Sequence, residues 1–230
     1  MNELFQNSLY AGVVLSLLSY FIGVYLKKKF KCALINPVLI SALISIVVLI
    51  VGKVDYESYN ASAKYLSWFL TPATVCLAVP LYEQFELLKK NYVAVIVGLV
   101  SGVLTGMITG FVLSIIFKLD HAGYVTLLPK SVTTAIGMGI SEELGGHVTI
   151  TIAVIVVTGI LGNVFGELIC KVFHINEPIS KGLAFGCASH ALGTAKAIEI
   201  GEIEGAMSSL SIAVSGILTV IFAPIFATFI

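Results

Sequence analysis

Two polar stretches interrupt a chain that is otherwise strongly apolar. Residues 128–146 read LPKSVTTAIGMGISEELGG, and residues 182–204 read GLAFGCASHALGTAKAIEIGEIE. Moving an unpaired polar group from water into an apolar medium costs roughly 2–7 kcal/mol, and moving a charge costs more. A membrane protein therefore carries such groups at depth where they meet a substrate, an ion or each other. These two stretches are the first candidates for a functional site.

The first stretch could open a short helix that binds an anion. Pro129 suits the first turn of a helix, where its missing N–H costs no hydrogen bond. Free N–H groups at a helix start favour negative charge, and a lysine ammonium would add to that preference. The alternative is a loop whose lysine lies at the membrane interface. The substrate-binding residues predicted in this stretch are Lys130, Ser131, Thr133 and Thr134.

The second stretch offers a matching cluster of polar side chains. On a helix, His190 and Thr194 would share one face, and Ser189 and Lys196 would share a neighbouring face. Histidine titrates near neutral pH, which suits proton coupling. The alternative is a packed histidine whose ring is satisfied by the backbone. The substrate-binding residues predicted here are Ser189, His190, Thr194 and Lys196.

Three further polar residues are assigned to coupling or gating. Glu142 and Glu143 follow the first stretch, where they are either solvated turn residues or partners of Lys130. Asn163 lies within a long apolar run and could hydrogen-bond across helices. A proton is the expected coupled ion, carried through His190 or Glu143.

The sequence lacks the patterns that indicate an enzyme or a metal site. It contains no G-x-S-x-G frame, no H-E-x-x-H pair and no phosphate-binding P-loop. Ser189 and His190 are neighbours in sequence and would point about 100° apart on a helix, which is poor geometry for a nucleophile and its base. The four cysteines lack metal-ligand spacing. We therefore expect no enzymatic activity, no metal and no cofactor.

The composition of the chain indicates an integral membrane protein. Its 230 residues are 58% hydrophobic and only 11% charged, and the mean hydropathy is +1.03. Soluble domains carry about 25% charged residues, so the expected surroundings are the lipid bilayer. The formal net charge of zero argues against a nucleic-acid partner, because no basic surface is left to bind phosphates.

The apolar segments predict an all-α polytopic membrane protein with about seven hydrophobic segments, some short and broken or re-entrant. The run of Lys27, Lys28, Lys29 and Lys31 places the first loop inside and the N-terminus outside a multi-pass protein of the cell (inner) membrane. The shorter segments are residues 65–81, 125–140 and 183–200. The full-length spans are residues 5–26, 32–51, 92–117, 148–172 and 205–230.

An internal repeat organises the chain after an N-terminal two-helix scaffold in residues 1–64. The motifs VSGVL, VTGIL and VSGIL centre on Gly102, Gly159 and Gly216, at a constant spacing of 57 residues. We expect a transport core in residues 65–230 built from three units, each with a short polar segment before a long helix. Re-entrant short segments would make neighbouring units inverted, as in many secondary transporters, whereas spanning segments would make them parallel.

Glycines recur on one face of the fourth predicted span, at Gly98, Gly102, Gly106 and Gly110. Small residues at this spacing let another helix approach closely. The stripe predicts helix packing, either within the chain or between copies in a homo-oligomer. Gly159, Gly162 and Gly166 would act similarly in the next span.

Several blocks of the sequence resemble the LrgB/CidB family of bacterial membrane proteins. They are PKSVTTAIGMGISEELGG, TGILGNVFG, ASHALGTAKA and EGAMSS, and they occur in the family's order. Where the family has T-T-P, this chain has Thr133-Thr134-Ala135 and so lacks a helix-breaking proline. The resemblance covers the chain from about residue 66 onwards.

The resemblance implies two alternative functions. The family includes the C-terminal half of a plastid glycolate/glycerate translocator, which implies transport of small monocarboxylates such as pyruvate, glycolate or lactate by alternating access. The LrgB/CidB family is also described as antiholin-like. That description implies regulation of murein hydrolase export and cell lysis, with a smaller LrgA/CidA-type membrane partner. The two polar clusters favour a monocarboxylate anion as the ligand.

Overall fold

The chain is helical throughout the described part of its structure. The computed structural model describes residues 2–30, 36–69, 72, 75, 76 and 78–230, and all regular elements in these ranges are helices. This confirms the predicted all-α class. The chain forms two compact units, Met1–Cys76 and Leu77–Ile230. The sequence patterns predict a domain boundary after Lys64.

The N-terminal unit contains a first long helix that starts later than the sequence predicts. A separate short helix ends at Asn7, and the long helix begins at Ala11 rather than near residue 5. Ser62 Oγ accepts a hydrogen bond of 2.8 Å from the Gly12 N–H, one of the first-turn donors that a helix itself cannot satisfy. The helices are α1 (Asn2–Asn7), α2 (Ala11–Phe30), α3 (Pro37–Val51) and α4 (Tyr56–Ala63), followed by a 3₁₀ helix at Lys64–Phe69.

Helix α3 begins where the sequence caps it. Asn36 Oδ1 accepts the N–H groups of Val38 at 2.8 Å and Leu39 at 3.2 Å, and Pro37 occupies the first turn. The predicted start at residue 32 lies outside the described residues. In the predicted segment 65–81, residues 70, 71, 73, 74 and 77 also lie outside them.

Four helices among the described residues are long and apolar enough to span a membrane. The C-terminal unit, called the core below, contains three of them, Tyr92–Ile116, Val148–Val172 and Glu202–Ala227, and the first unit contains Ala11–Phe30. The three core helices match predicted spans to within a few residues, whereas Ala11–Phe30 is displaced from the predicted span of residues 5–26. The core helices are α5 (Ala78–Glu83), α6 (Phe85–Lys90), α7 (Tyr92–Ile116), α8 (His121–Leu127), α9 (Thr134–Glu143), α10 (Val148–Val172), α11 (Pro178–Ile200) and α12 (Glu202–Ala227).

Residues 121–143 double back on themselves and form what we call the first hairpin. Helix α8 runs in, residues 128–133 turn, and helix α9 returns. Thr151 Oγ1 on α10 lies 3.1 Å from the Thr126 carbonyl oxygen and 2.7 Å from Ser141 Oγ. One side chain therefore meets both arms of the hairpin. A continuous helix would separate residues 126 and 141 by about 22 Å.

Helix α11 also doubles back, and we call residues 178–200 the second hairpin. His190 breaks the helix with φ 42° and ψ −133°. Ser208 of α12 contacts both arms, because its carbonyl oxygen lies against Gly186 and its Oγ lies 2.7 Å from Thr194 Oγ1. In a straight helix Gly186 and Thr194 would be about 12 Å apart. Gly193 lies against the Phe185 carbonyl oxygen at the fold.

The two hairpins pack at opposite ends of the long helices. Residues of the first hairpin cluster with the middle and second half of α7 and with the last turns of α12, and the Tyr124 hydroxyl donates to the Phe226 carbonyl at 2.9 Å. The second hairpin instead contributes Leu183 to a cluster with Val95 and Leu99 near the start of α7 and Met207 near the start of α12. The turns of both hairpins therefore point toward the middle of the helices.

The repeated glycine motifs all fall on long helices of the core. Gly102 lies on α7, Gly159 on α10 and Gly216 on α12. A hairpin precedes both α10 and α12. Since each hairpin returns to the end from which it started, α10 runs opposite to α7 and α12. This is the inverted arrangement that is expected if the short segments of the second and third units are re-entrant.

Candidate functional site

A cavity of about 830 Å³ lies where the turns of the two hairpins meet the long helices. It separates α7 from α10, and the ingoing arm of the second hairpin forms its back wall, since α11 packs against both of these helices. Lys130 and Ser131 line it from the first hairpin, and Ser189 lines it from the second. The structure therefore brings together three of the eight predicted substrate-binding residues.

Among the described residues that line this cavity, Lys130 is the only cation. Its Nζ donates to Ser131 Oγ at 3.2 Å and lies 3.8 Å from where a Cβ on Gly106 would lie. Within the described ranges no carboxylate lies within ion-pair distance of it. An ammonium group has three N–H donors, so it keeps donors for a ligand in the cavity.

A small adjoining cavity extends the site toward α12. It has room for about one water molecule, with a volume of about 20 Å³. Lys130, Ser131 and Cys187 line both cavities, while Ser215 and Thr219 line the small one. Sequence reasoning missed Ser215 and Thr219, although their spacing of four residues places them on one face of a helix.

Ser189 reaches the cavity because α10 carries a glycine opposite it. A Cβ on Gly162 would overlap Ser189 Oγ, and Gly166 and Gly159 likewise leave room for Phe185 and the His190 ring. The glycines of α10 therefore seat the ingoing arm of the second hairpin. This is helix packing within the chain.

Four predicted substrate-binding residues lie close to the turns without lining either cavity. Thr133 is the N-cap residue of α9, and Thr134 is the first residue of that helix. The buried His190 ring has its Nε2 3.0 Å from the Ile155 carbonyl oxygen, as the packed-histidine alternative predicts. Thr194 Oγ1 bonds to the His190 carbonyl at 3.1 Å and to Ser208 Oγ.

Lys196 lies on the returning arm of the second hairpin and is already paired. Its Nζ lies 3.3 Å from Glu167 Oε2 on α10 and 3.5 Å from Glu199 Oε2. Lys196 does not line the cavity. Glu167 was not predicted as a site residue, and its link to Lys196 ties the second hairpin to α10.

The residues predicted for coupling or gating occupy two different settings. Glu142 and Glu143 are exposed at the end of α9 and do not pair with Lys130. Asn163 Nδ2 donates to the Leu192 carbonyl at 2.7 Å. This carbonyl follows the break at His190, so Asn163 fixes the start of the returning arm to α10.

The glycine stripe of α7 faces the cavity as well as a neighbouring helix. A Cβ on Gly98 would lie 3.6 Å from Leu183 Cδ1, and one on Gly102 would lie 2.9 Å from Cys187 Sγ. Gly106 faces Lys130, whereas Gly110 has open space around it. The part of the chain that the structure describes holds no cluster of side chains suited to a metal ion.

The comparisons with known proteins agree with the resemblance seen in the sequence. A model of the LrgB-like family matches residues 16–229. Proteins named "Antiholin-like protein LrgB" from Bacillus mycoides (strain KBAB4) and Bacillus cereus (strain B4264) are 39% and 40% identical over 222 residues, which is 96% of each chain. A protein of the same name from Bacillus anthracis (strain CDC 684 / NRRL 3495) is 40% identical over the same share. No solved structure matches the chain.

Proposed function

Because the chain belongs to the LrgB-like family, we propose two candidate functions for this membrane protein, of which the geometry supports transport of a small monocarboxylate best. The second candidate is antiholin-like regulation of cell lysis. The names of the relatives favour this second candidate over transport of any particular acid. The two candidates make different demands on Lys130, so they can be separated by experiment.

The observation that carries the transport proposal is the position of Lys130. Its ammonium faces a cavity in the middle of the core and has no carboxylate partner among the described residues. Charge at such a depth is costly unless it is paired. A ligand carboxylate would supply the missing negative charge, and the hydroxyls of Ser131 and Ser189 would donate to it or to a neighbouring keto or hydroxyl oxygen.

The hairpins supply a means of alternating access. They reach the cavity from opposite ends of the core, so movement of either one would open the site to one side only. The cavity extends toward the end that holds Lys90, Lys171 and Lys181, at the boundaries of α6, α10 and α11. By the positive-inside rule, that end lies on the cytoplasmic side of the cell (inner) membrane. We propose that this is the inward-facing state.

The proposed coupling ion is a proton. Neither His190 nor Glu143 lines the cavity, so a coupling role for either would act through movement of its hairpin. Uptake measured with and without an inward proton gradient tests the coupling itself.

The experiment that tests transport is uptake of radiolabelled pyruvate, glycolate and lactate into proteoliposomes. We expect saturable uptake in which the three acids compete, and loss of more than tenfold in Lys130→Ala. Lys196→Ala is the matched control, because its ammonium is paired with Glu167 outside the cavity. Uptake at the wild-type rate in Lys130→Ala would contradict the site.

The second candidate predicts a different result in the same vesicles. A regulator that itself forms pores would release an entrapped dye, and the leak would rise steeply with protein density. A regulator that only restrains a pore would show neither uptake nor leak by itself. If neither uptake nor leak is seen, an LrgA/CidA-type partner should be co-reconstituted. The same assays on the pair then decide between carrier and regulator.

A further inference from the structure

The cavity is much larger than a three-carbon acid requires. Such an acid has six non-hydrogen atoms and would fill roughly 180 Å³ even at the volume that a water molecule takes in the liquid. The cavity measures about 830 Å³. Pockets of that size usually enclose ligands with tens of atoms. Size alone therefore points to a longer ligand or to solvent.

The walls of the cavity distinguish between these occupants. Its polar groups lie mainly at the deep end, around Lys130. Along α10 the wall is formed by Leu161, Phe165 and Ile169, which are 50%, 39% and 50% exposed. From Thr158 to Ile169 this wall extends for about 16 Å along the helix. Contact with such an apolar surface does not stabilise water, whereas burial of an alkyl or aryl group against it lowers the free energy.

We propose that the preferred ligand of this cavity is an amphipathic monocarboxylate, with its carboxylate at Lys130 and an apolar body of several carbons along α10. This inference deepens the proposed carboxylate site and rests on it. Charge complementarity selects this occupant, because a neutral lipid tail or the apolar helix of a second copy would leave the Lys130 ammonium without a counter-charge.

Cys187 gives a direct measure of occupancy, since it lines the cavity beside Lys130. A variant with Cys32, Cys76 and Cys170 replaced by serine would leave Cys187 as the single thiol. In lipid nanodiscs, its rate of alkylation by N-ethylmaleimide is measured with added butyrate, hexanoate, octanoate or pyruvate. Octanamide, which lacks the charge, controls for ligand that simply partitions into the lipid.

The expected result is protection that strengthens with chain length. Each methylene buried against the wall should lower the half-protecting concentration about fourfold. Protection by octanoate should disappear in Lys130→Ala and should not occur with octanamide. Thermal stabilisation of the protein by the same series provides a second measurement, which also applies if Cys187 reacts slowly.

Two variants test where the apolar body lies. Ala184 is exposed and lines the cavity, so Ala184→Trp should fill part of it and weaken octanoate more than pyruvate by at least tenfold. Ala153 is exposed on α10 and does not line the cavity, so Ala153→Trp should leave the series unchanged.

Other outcomes would overturn the inference. Equal protection by pyruvate and octanoate would overturn it and leave the proposed transport intact. Equal effects of octanoate and octanamide, independent of Lys130, would mean that lipid fills the cavity. Protection that depends on protein concentration alone would indicate a second copy. Failure of every acid both to protect and to be transported would overturn the proposed function as well.

Discussion

Replacement of Gly162 by alanine tests how tightly the second hairpin is seated on α10. A Cβ at this position would overlap Ser189 Oγ and would lie 2.5 Å from Ser189 Cβ. Carbon atoms pack at about 3.5–4.0 Å, so the turn of the hairpin would have to move by about 1 Å. That movement would also change the position of Ser189 relative to Lys130.

The expected cost follows from two opposing effects. Overpacking of a tightly packed site costs up to about 3 kcal/mol, while exchange of glycine for alanine in a helix returns about 1 kcal/mol. The net destabilisation of Gly162→Ala should be about 2 kcal/mol. For a chain of this size, that loss lowers the unfolding temperature by roughly 4–8 °C.

The matched control is Gly110→Ala on α7. Nothing lies within 4 Å of the position where its Cβ would lie, so only the gain in helix propensity remains. The unfolding temperature of this variant in lipid nanodiscs should equal or exceed that of the wild type. Comparison of the two variants separates the steric effect from the general effect of alanine in a membrane helix.

A second substitution should relieve the clash. In Gly162→Ala/Ser189→Gly the nearest atom of residue 189 would be its Cα, 3.7 Å away, which is ordinary contact. Because the gain in helix propensity persists in the double mutant, the coupling energy between the two changes should equal the relieved overpacking, about 3 kcal/mol in a double-mutant cycle. Additive effects, or a Gly162→Ala variant as stable as Gly110→Ala, would refute the close seating of the hairpin.

Three further predictions concern other residues. Asn163→Ala should destabilise the core by about 1–3 kcal/mol in thermal unfolding, because the Leu192 carbonyl loses its donor; a smaller loss would mean that water replaces the amide. Glu167→Gln should change stability by less than about 1 kcal/mol at any salt concentration, because its pairing with Lys196 is partly exposed. Asp55 caps α4, and the Ser58 backbone N–H lowers the pKa of its carboxyl to about 2. Its stabilisation of α4 should be complete above pH 4 and be lost as the pH falls through 2, as measured by hydrogen exchange, whereas Asp55→Asn should remove this pH dependence.

The long helices and the polar turns could be predicted from the sequence. Apolar runs of about 20 residues define spans, and the predicted bounds of α10 agree with the structure. The two polar stretches contain the turns of the hairpins. Polar groups deep in a membrane protein need partners, and at these turns they meet each other and the cavity. Lys130, Ser131 and Ser189 belong to these stretches and line the cavity.

The direction in which individual side chains point could not be predicted in the same way. The direction of each side chain depends on where α11 breaks, and the break falls at His190, which is neither glycine nor proline. The pairing of Lys196 with Glu167 joins two different helices and leaves no local pattern. The apolar wall was also hidden, because leucine and phenylalanine in a membrane helix can face lipid or a cavity with the same sequence pattern.

The first hairpin also has a consequence for how the chain is made. Its Tyr124 hydroxyl bonds to the Phe226 carbonyl, 102 residues further along, and Ala223 and Ala227 complete its apolar cluster. At about 5–20 residues per second, a ribosome needs roughly 5–20 s to synthesise that stretch. During this interval α8 has left the ribosome while its partner in α12 has not yet been made. We therefore expect residues 121–143 to settle into the bilayer only after α12 has been inserted, so that early arrest of translation leaves this segment open to protease.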